Sequence, residues 1–277
     1  MQRNRFLMAG ILFLTVFAAG LMAYPQTGLA EETLVLSTGS PYELGLIDAL
    51  AKPFEVKYNC KVDVVKAGSG KAIDLLRAGK VDVIMVHAKK AEDKLIKDGY
   101  GVNLRAVAHN DFVIAGPKKD PAKIKGSKDA AEAYSRIARS KSLFFSRGDN
   151  SGTHKKEMAI WKKAGIKPEG KWYRTTGKFM GATLEEASQA QGYFMTDRST
   201  YIYLSKKVNL DILFEGDSSL VNHYNAIAVS PAKYPERNYE PAVNFIGFIT
   251  SQAGQKIIRD YGKKEFGKPL YFSDAIP

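Results

Sequence analysis

The residues best suited to chemistry lie together at 146–157, in the run Ser146-Arg147-Gly148-Asp149-Asn150-Ser151-Gly152-Thr153-His154-Lys155-Lys156-Glu157. The apolar Leu143-Phe144-Phe145 precedes it and Met158-Ala159-Ile160-Trp161 follows, so the stretch reads as a strand, a glycine-rich turn and a helix start. The first turn of a helix has unpaired N–H groups and the positive end of the peptide dipoles, which together attract an anion. Arg147 adds a permanently charged fork of donors, and Ser151 and Thr153 add hydroxyls. Asp149 is the one group of the wrong sign. Turned inward, it suits an anion that keeps a proton; capping the helix or pairing with Arg147, it leaves a site of donors only.

An anion held by one turn alone stays half solvated, so other elements must supply partners. Two further turns have the right composition. Thr33-Leu34-Val35-Leu36 reads as a strand running into Ser37-Thr38-Gly39-Ser40-Pro41, and Leu44, Ile47, Leu50, Ala51 and Phe54 then follow at helical spacing. Val62-Asp63-Val64-Val65 alternates as a strand, Gly68-Ser69-Gly70-Lys71 turns, and Ile73, Leu75 and Leu76 continue as a helix. The strand Val81 to Val86 ends at His87, with a helix expected around Ala91 to Ile96. Such alternation predicts an α/β fold with mostly parallel sheet, whose ligands sit where strands end and helices begin.

Asp111 to Ala115 reads as a further strand, and Pro117 and Pro121 mark a crossover into a second region. There, helices are expected at Ala130 to Ala138 and Leu184 to Ala190, a strand at Gly192 to Thr196 and a polar turn at Asp197 to Thr200. Tyr224 to Val229 is strand-like, and Val243 to Ile249 and Ile257 to Tyr261 read as closing helices.

The first thirty residues carry Arg3 and Arg5, the apolar run Phe6 to Ala23 and the small-residue exit Gly28-Leu29-Ala30, the pattern of an export signal cleaved near Ala30. A retained anchor is the competing reading, because the run approaches the ~18 residues of a spanning helix. The single Cys60 lies far from the exit, which predicts no lipid anchor and no internal disulfide. The formal charge is +12, and without the leader's two arginines it is +10. The lysines are scattered and no nucleic-acid motif accompanies them, so nucleic acid is not an expected partner. No nucleophile elbow, zinc helix or cysteine pair occurs, and the four histidines are dispersed. A binding protein is therefore expected rather than an enzyme, with no cofactor and no bare metal cation.

On the 146–157 run, together with Val86-His87-Ala88-Lys89, Asp197-Arg198-Ser199-Thr200-Tyr201 and the first loop, the mature chain resembles the two-lobed substrate-binding proteins of bacterial ABC importers, in particular the tungstate-binding branch of the Tup systems. That resemblance implies a periplasmic, monomeric carrier of the tungstate oxyanion that delivers its ligand to a membrane permease; the alternatives are a carrier of molybdate, phosphate or sulfate on the same fold, or an exported oxyanion-sensing module. It implies a type II two-lobed fold with lobe I at 31–113 and 224–277, lobe II at 114–223, and the ligand in the interlobe cleft. By the family pattern Thr38 and Ser69 bind from one lobe and Arg147 and Thr153 from the other, with Ser37, Gly39, Ser40, Gly70, Ser151 and Gly152 as further candidates. The first loop departs from the family's usual Thr-Thr-Thr-Ser by having Ser37-Thr38-Gly39-Ser40. Tungsten is expected as its oxyanion through these same residues. Tungstate and molybdate are full dianions at neutral pH, which asks for donors only.

Overall fold

A computed structural model of the chain describes residues 32–275. The expected export signal at 1–30 lies outside the described residues. In chain order the elements are β1 (Glu32–Thr38), α1 (Ser40–Glu43), α2 (Leu46–Tyr58), β2 (Cys60–Lys66), α3 (Ser69–Arg77), β3 (Val83–Val86), α4 (Lys89–Lys97) and β4 (Gly101–Gly116). They continue as α5 (Ala130–Ser140), β5 (Phe144–Ser146), α6 (Gly152–Lys163), β6 (Tyr173–Thr175), α7 (Met180–Gln189), β7 (Tyr193–Asp197), α8 (Arg198–Tyr203) and β8 (Asp211–Phe214). The chain closes with β9 (Val221–Val229), α9 (Tyr239–Thr250), α10 (Gln252–Asp260), α11 (Lys263–Phe266) and β10 (Phe272–Ser273).

The strands form one ten-stranded mixed sheet in the order β2-β1-β3-β9-β4-β7-β5-β6, with β8 and β10 also on β4. The strand–helix alternation gives parallel pairing at each end: β2, β1 and β3 run together, as do β6, β5 and β7. The antiparallel pairings all involve β4 or β9, the two long strands by which the chain passes from one half to the other and back. Gly101 to Asp111 of β4 pair with β9, whereas Phe112 to Ala115 pair with β7.

Each half has its own core. Leu34, Leu36, Leu46, Ile47, Leu50 and Phe54 pack with Phe245, Ile246 and Ile249 on one face of the first half. Ile73, Leu76, Ile84, Val86 and Ile227 fill the other. In the second half Tyr134, Phe144, Phe145, Trp161, Leu184 and Phe194 form one aromatic-rich cluster. The alternation of these residues with polar ones is what assigns each helix a buried stripe and fixes its rotation on the sheet. Helix packing thereby sets the direction in which α1, α3 and α6 present their first turns.

The expected polar turn at 197–200 is instead the start of a helix. Asp197 is the N-cap of α8, and its carboxylate accepts from the N–H and the hydroxyl of Thr200. No helix among the described residues is long and apolar enough to cross a membrane.

Candidate oxyanion site

β5 ends at Ser146 and α6 begins at Gly152, so residues 147–151 form a tight loop at the C-terminal edge of the sheet. Gly148 at φ 61° and Asn150 at φ 59° turn it through left-handed backbone. Ser151 is the N-cap, its hydroxyl oxygen accepting from the His154 N–H at 3.3 Å. The N–H groups of Gly152 and Thr153 in the first turn have no carbonyl within the helix to bond.

Arg147 is only 3% exposed. Its Nε and Nη2 donate to Asp149 Oδ2 at 3.1 and 2.5 Å, and its guanidinium lies 5.5 Å from the centre of the Phe179 ring. The other carboxylate oxygen of Asp149 accepts the Ser151 N–H at 3.1 Å. Burial works to raise the Asp149 pKa, but the Arg147 charge and the Ser151 donors outweigh it and hold the carboxyl below its ordinary range. Both oxygens of the one awkward residue are therefore engaged within the loop, and what the loop presents is donors.

Thr153, 1% exposed, has a buried hydroxyl with no hydrogen-bond partner among the described residues. Such a group costs free energy unless something accepts from it or donates to it. One turn further along α6, Glu157 accepts from Tyr173 at 2.7 Å and Trp161 at 3.1 Å. Burial pushes its carboxyl up to about 7, against the lowering effect of hydrogen bonds with Ser146, Tyr173 and Trp161.

The first half brings two helix starts to the same place. α1 and α3 have glycine N-caps, Gly39 and Gly68, and neither start has a side-chain cap. In α1, Pro41 has no N–H and the Tyr42 N–H donates to the Gly39 carbonyl, which leaves the Ser40 N–H without an acceptor in its helix; in α3, whose first internal bond is from Ala72 to Gly68, the same holds for the N–H groups of Ser69, Gly70 and Lys71. The hydroxyls divide into two sets. Ser37 donates to the Val65 carbonyl and Thr38 to the Met85 carbonyl, which leaves neither with a proton for a ligand. Ser69 accepts from the His87 N–H and keeps its proton, and the Ser40 hydroxyl has no hydrogen bond among the described residues, although its carbonyl accepts from the Leu44 N–H. Thr38 thus stands at the site with its hydroxyl turned into the sheet.

The halves meet through glycines. A Cβ on Gly68 would lie 3.1 Å from Ser151 Cβ and 3.7 Å from Arg147 Nη2, and one on Gly70 would lie 2.7 Å from the Asn150 carbonyl. Gly152 presses on the edge of the His87 ring, where a Cβ would approach Cε1 to 2.5 Å. Side chains at these positions would hold the loops apart, which is why glycines alternate with hydroxyl residues there.

His87 is fixed by a chain of amides that sequence reading had no signal for. Ser199 donates to the Leu270 carbonyl and so accepts from Asn110 Nδ2; Asn110 Oδ1 accepts from Asn222 Nδ2, leaving Asn222 Oδ1 to accept from His87 Nδ1 at 2.7 Å. Burial first, and then the charges of Arg147 and Lys156, lower the His87 pKa to about 4 despite this bond, so the ring is neutral at pH 7. His87 and Gly152 also line a cavity of about 930 Å³ between the halves, with Lys89, Lys90, Lys155 and Lys156 in its lining. Asp197, buried beside this network, has its carboxyl pushed up to about 6 by burial, against its bonds to Thr200.

Arg198 is directed elsewhere: it forms a two-bond pair with Asp111 and a further bond with Glu215. Thr200 serves as partner to the Asp197 cap. Cys60 is buried in the first core.

Residues 25–253 match the profile of the PBP superfamily domain. The chain is 36% identical over 284 residues to the tungstate-binding protein TupA of Peptoclostridium acidaminophilum, a match that spans 99% of each chain. It superposes with a TM-score of 0.76 on the crystal structure of the tungstate ABC transporter from Geobacter sulfurreducens, at 47% identity, covering 84% of this chain and 100% of that one. With the tungstate-binding protein TupA from Desulfovibrio alaskensis G20 the TM-score is 0.73 at 38% identity, covering 88% and 100%. With its mixed sheet, its facing glycine-rich helix starts and its likeness to these proteins along nearly all of its length, the chain belongs to the PBP superfamily and, within it, to the family of the TupA tungstate-binding proteins.

Proposed function

We propose that this protein captures the tungstate dianion outside the cytoplasm and delivers it to the membrane permease of an ABC importer, acting by binding alone. The reading includes export with loss of residues 1–30, a monomeric carrier, and a ligand held between a lobe of 31–113 with 224–277 and a lobe of 114–223. The supporting observation is the Thr153 hydroxyl, buried and unpartnered among the described residues, in a first turn whose Gly152 and Thr153 N–H groups likewise have no acceptor within the helix. Thr153, Arg147 and the α6 N–H groups would donate from one side. The hydroxyls of Ser69 and Ser40, the Ser40 N–H and the first-turn N–H groups of α3 would donate from the other, with Thr38 contributing backbone and packing. Desolvating a dianion costs several kcal/mol per charge, so aligned donors from both sides must replace its water.

Phosphate fits this donor set less well. It keeps a proton at neutral pH and gains from a carboxylate acceptor, and both oxygens of Asp149 are engaged with Arg147 and Ser151. Molybdate has the same charge and nearly the same size as tungstate, and the same donors serve it. A thermal-shift series with tungstate, molybdate, sulfate, phosphate and vanadate tests the reading. The melting temperature is expected to rise with tungstate concentration in excess of Kd. Absence of a shift with every oxyanion would overturn it.

A further inference from the structure

Away from the oxyanion loops, two of the dispersed histidines come together. His109 of β4 and His223 of β9 are directly opposite each other in the antiparallel pair. The next strand, β10, places Phe272 opposite His109 and Ser273 opposite Ala108, which brings Asp274 alongside both rings. His109 Nδ1 lies 2.5 Å from Asp274 Oδ1, and His223 Nδ1 lies 2.6 Å from Asp274 Oδ2. One potential ligand atom from each residue lies within 4.8 Å of the others. Phe272 stacks on His109 at 5.2 Å and holds its plane, and the Asp274 N–H donates to the Val107 carbonyl.

We propose that His109, His223 and Asp274 form a surface site for a divalent transition cation of the zinc type. Two imidazole nitrogens and a carboxylate suit such a borderline ion, and they do not suit magnesium or calcium, which take oxygen ligands. In a chain with 41 lysines and arginines, Asp274 forms no ion pair with any of them among the described residues and faces two imidazoles instead. The cation would take the place of the direct Nδ1···carboxylate contacts, the N···O separations opening from 2.5 and 2.6 Å to admit an ion about 2.0–2.2 Å from each ligand atom. The His223 side chain is 59% exposed, which leaves room for a water as fourth ligand. The site lies on the crossing strands two residues before β4 passes from β9 to β7, so a bound ion ties the C-terminal segment to those strands. It is independent of the oxyanion reading, because none of the three residues belongs to the donor loops.

Isothermal titration of Zn²⁺ into the mature, tag-free protein is expected to give one equivalent per chain. His223→Ala and Asp274→Asn should each weaken it more than about tenfold, since both remove a direct ligand. Mg²⁺ at the same concentration should give no heat. His109→Asn is the replacement variant if either of the others fails to fold, and the tungstate-induced thermal shift, expected to be unchanged, reports folding in each. Saturable Zn²⁺ binding that persists undiminished in these variants, or no saturable binding by the parent protein, overturns the site.

Discussion

The two sides of the proposed oxyanion site are built on different principles. The 146–157 loop carries charge: a buried guanidinium, neutralised locally by Asp149, and a helix start capped by Ser151. The loops at 37–40 and 68–71 carry none in their helix-cap positions, and their helix starts are capped by glycine alone. One side supplies a formal charge and its counter-charge, the other supplies dipoles and close approach. The contrast teaches that a dianion site need not gather cations; it needs donors whose own acceptors are absent or already satisfied elsewhere.

The largest expected effect breaks the charged side. Arg147→Ala removes the fork and leaves the Asp149 carboxylate unpaired beside the ligand, so tungstate affinity measured by calorimetry should fall by about 3 kcal/mol or more, on the order of 100-fold. Removing Asp149 as well should recover part of that loss; a double variant no better than Arg147→Ala would show that the carboxylate does not face the ligand.

Next comes the support beneath that loop. The Glu157 pKa is raised to about 7, so its protonated form is favoured in the folded chain. Its contribution to stability is complete below the ordinary carboxyl range and is lost as pH rises through about 7. Glu157→Gln, which imitates the protonated state, should flatten the fall in stability between pH 5 and pH 8 by about 2 kcal/mol, as read from urea melts at the two pH values. Equal slopes for the two proteins would assign the buried carboxylate no titration in this range.

Thr153→Val separates binding from stability. It deletes an unpartnered buried hydroxyl, so the ligand-free protein should gain about 1 kcal/mol while tungstate affinity drops roughly tenfold. A loss of stability without ligand would mean that the hydroxyl has a partner. The smallest effect belongs to the dipolar side. Thr38→Val leaves the Met85 carbonyl without its donor and should cost about 1 kcal/mol of stability while changing affinity less than about threefold. An affinity loss as large as that of Thr153→Val would put the Thr38 hydroxyl on the ligand after all and erase the distinction between the two sides.

Much of the fold was legible because apolar period and turn composition agree. The runs at 33–36, 62–65 and 81–86 become β1, β2 and β3, and the three hydroxyl and glycine turns become helix starts facing one another. The first half of β4 was not legible: Gly101 to Asn110 mixes exposed and buried positions around register shifts, and Asn103 sits at φ 54°. β6, β8 and β10 are short edge strands held by pairing partners rather than by their own pattern. In the site, residue types were readable and directions were not. That Thr38 points its proton into the sheet while Ser69 keeps its own depends on which carbonyl lies opposite, a matter of strand register. The same holds for Asn110 and Asn222, and for His109, His223 and Asp274, which only the crossing strands bring together.

The passage of β4 through both halves has a consequence for how the protein comes apart. A chain with separate cores on a flexible tether melts in steps, each core failing at its own temperature. Here one strand hydrogen-bonds to β9 at one end and to β7 and β8 at the other. Loss of either core frays the edge that the remaining core depends on. Calorimetric and van't Hoff enthalpies should therefore agree, and a ligand gripped at the join will raise a single transition rather than split it in two.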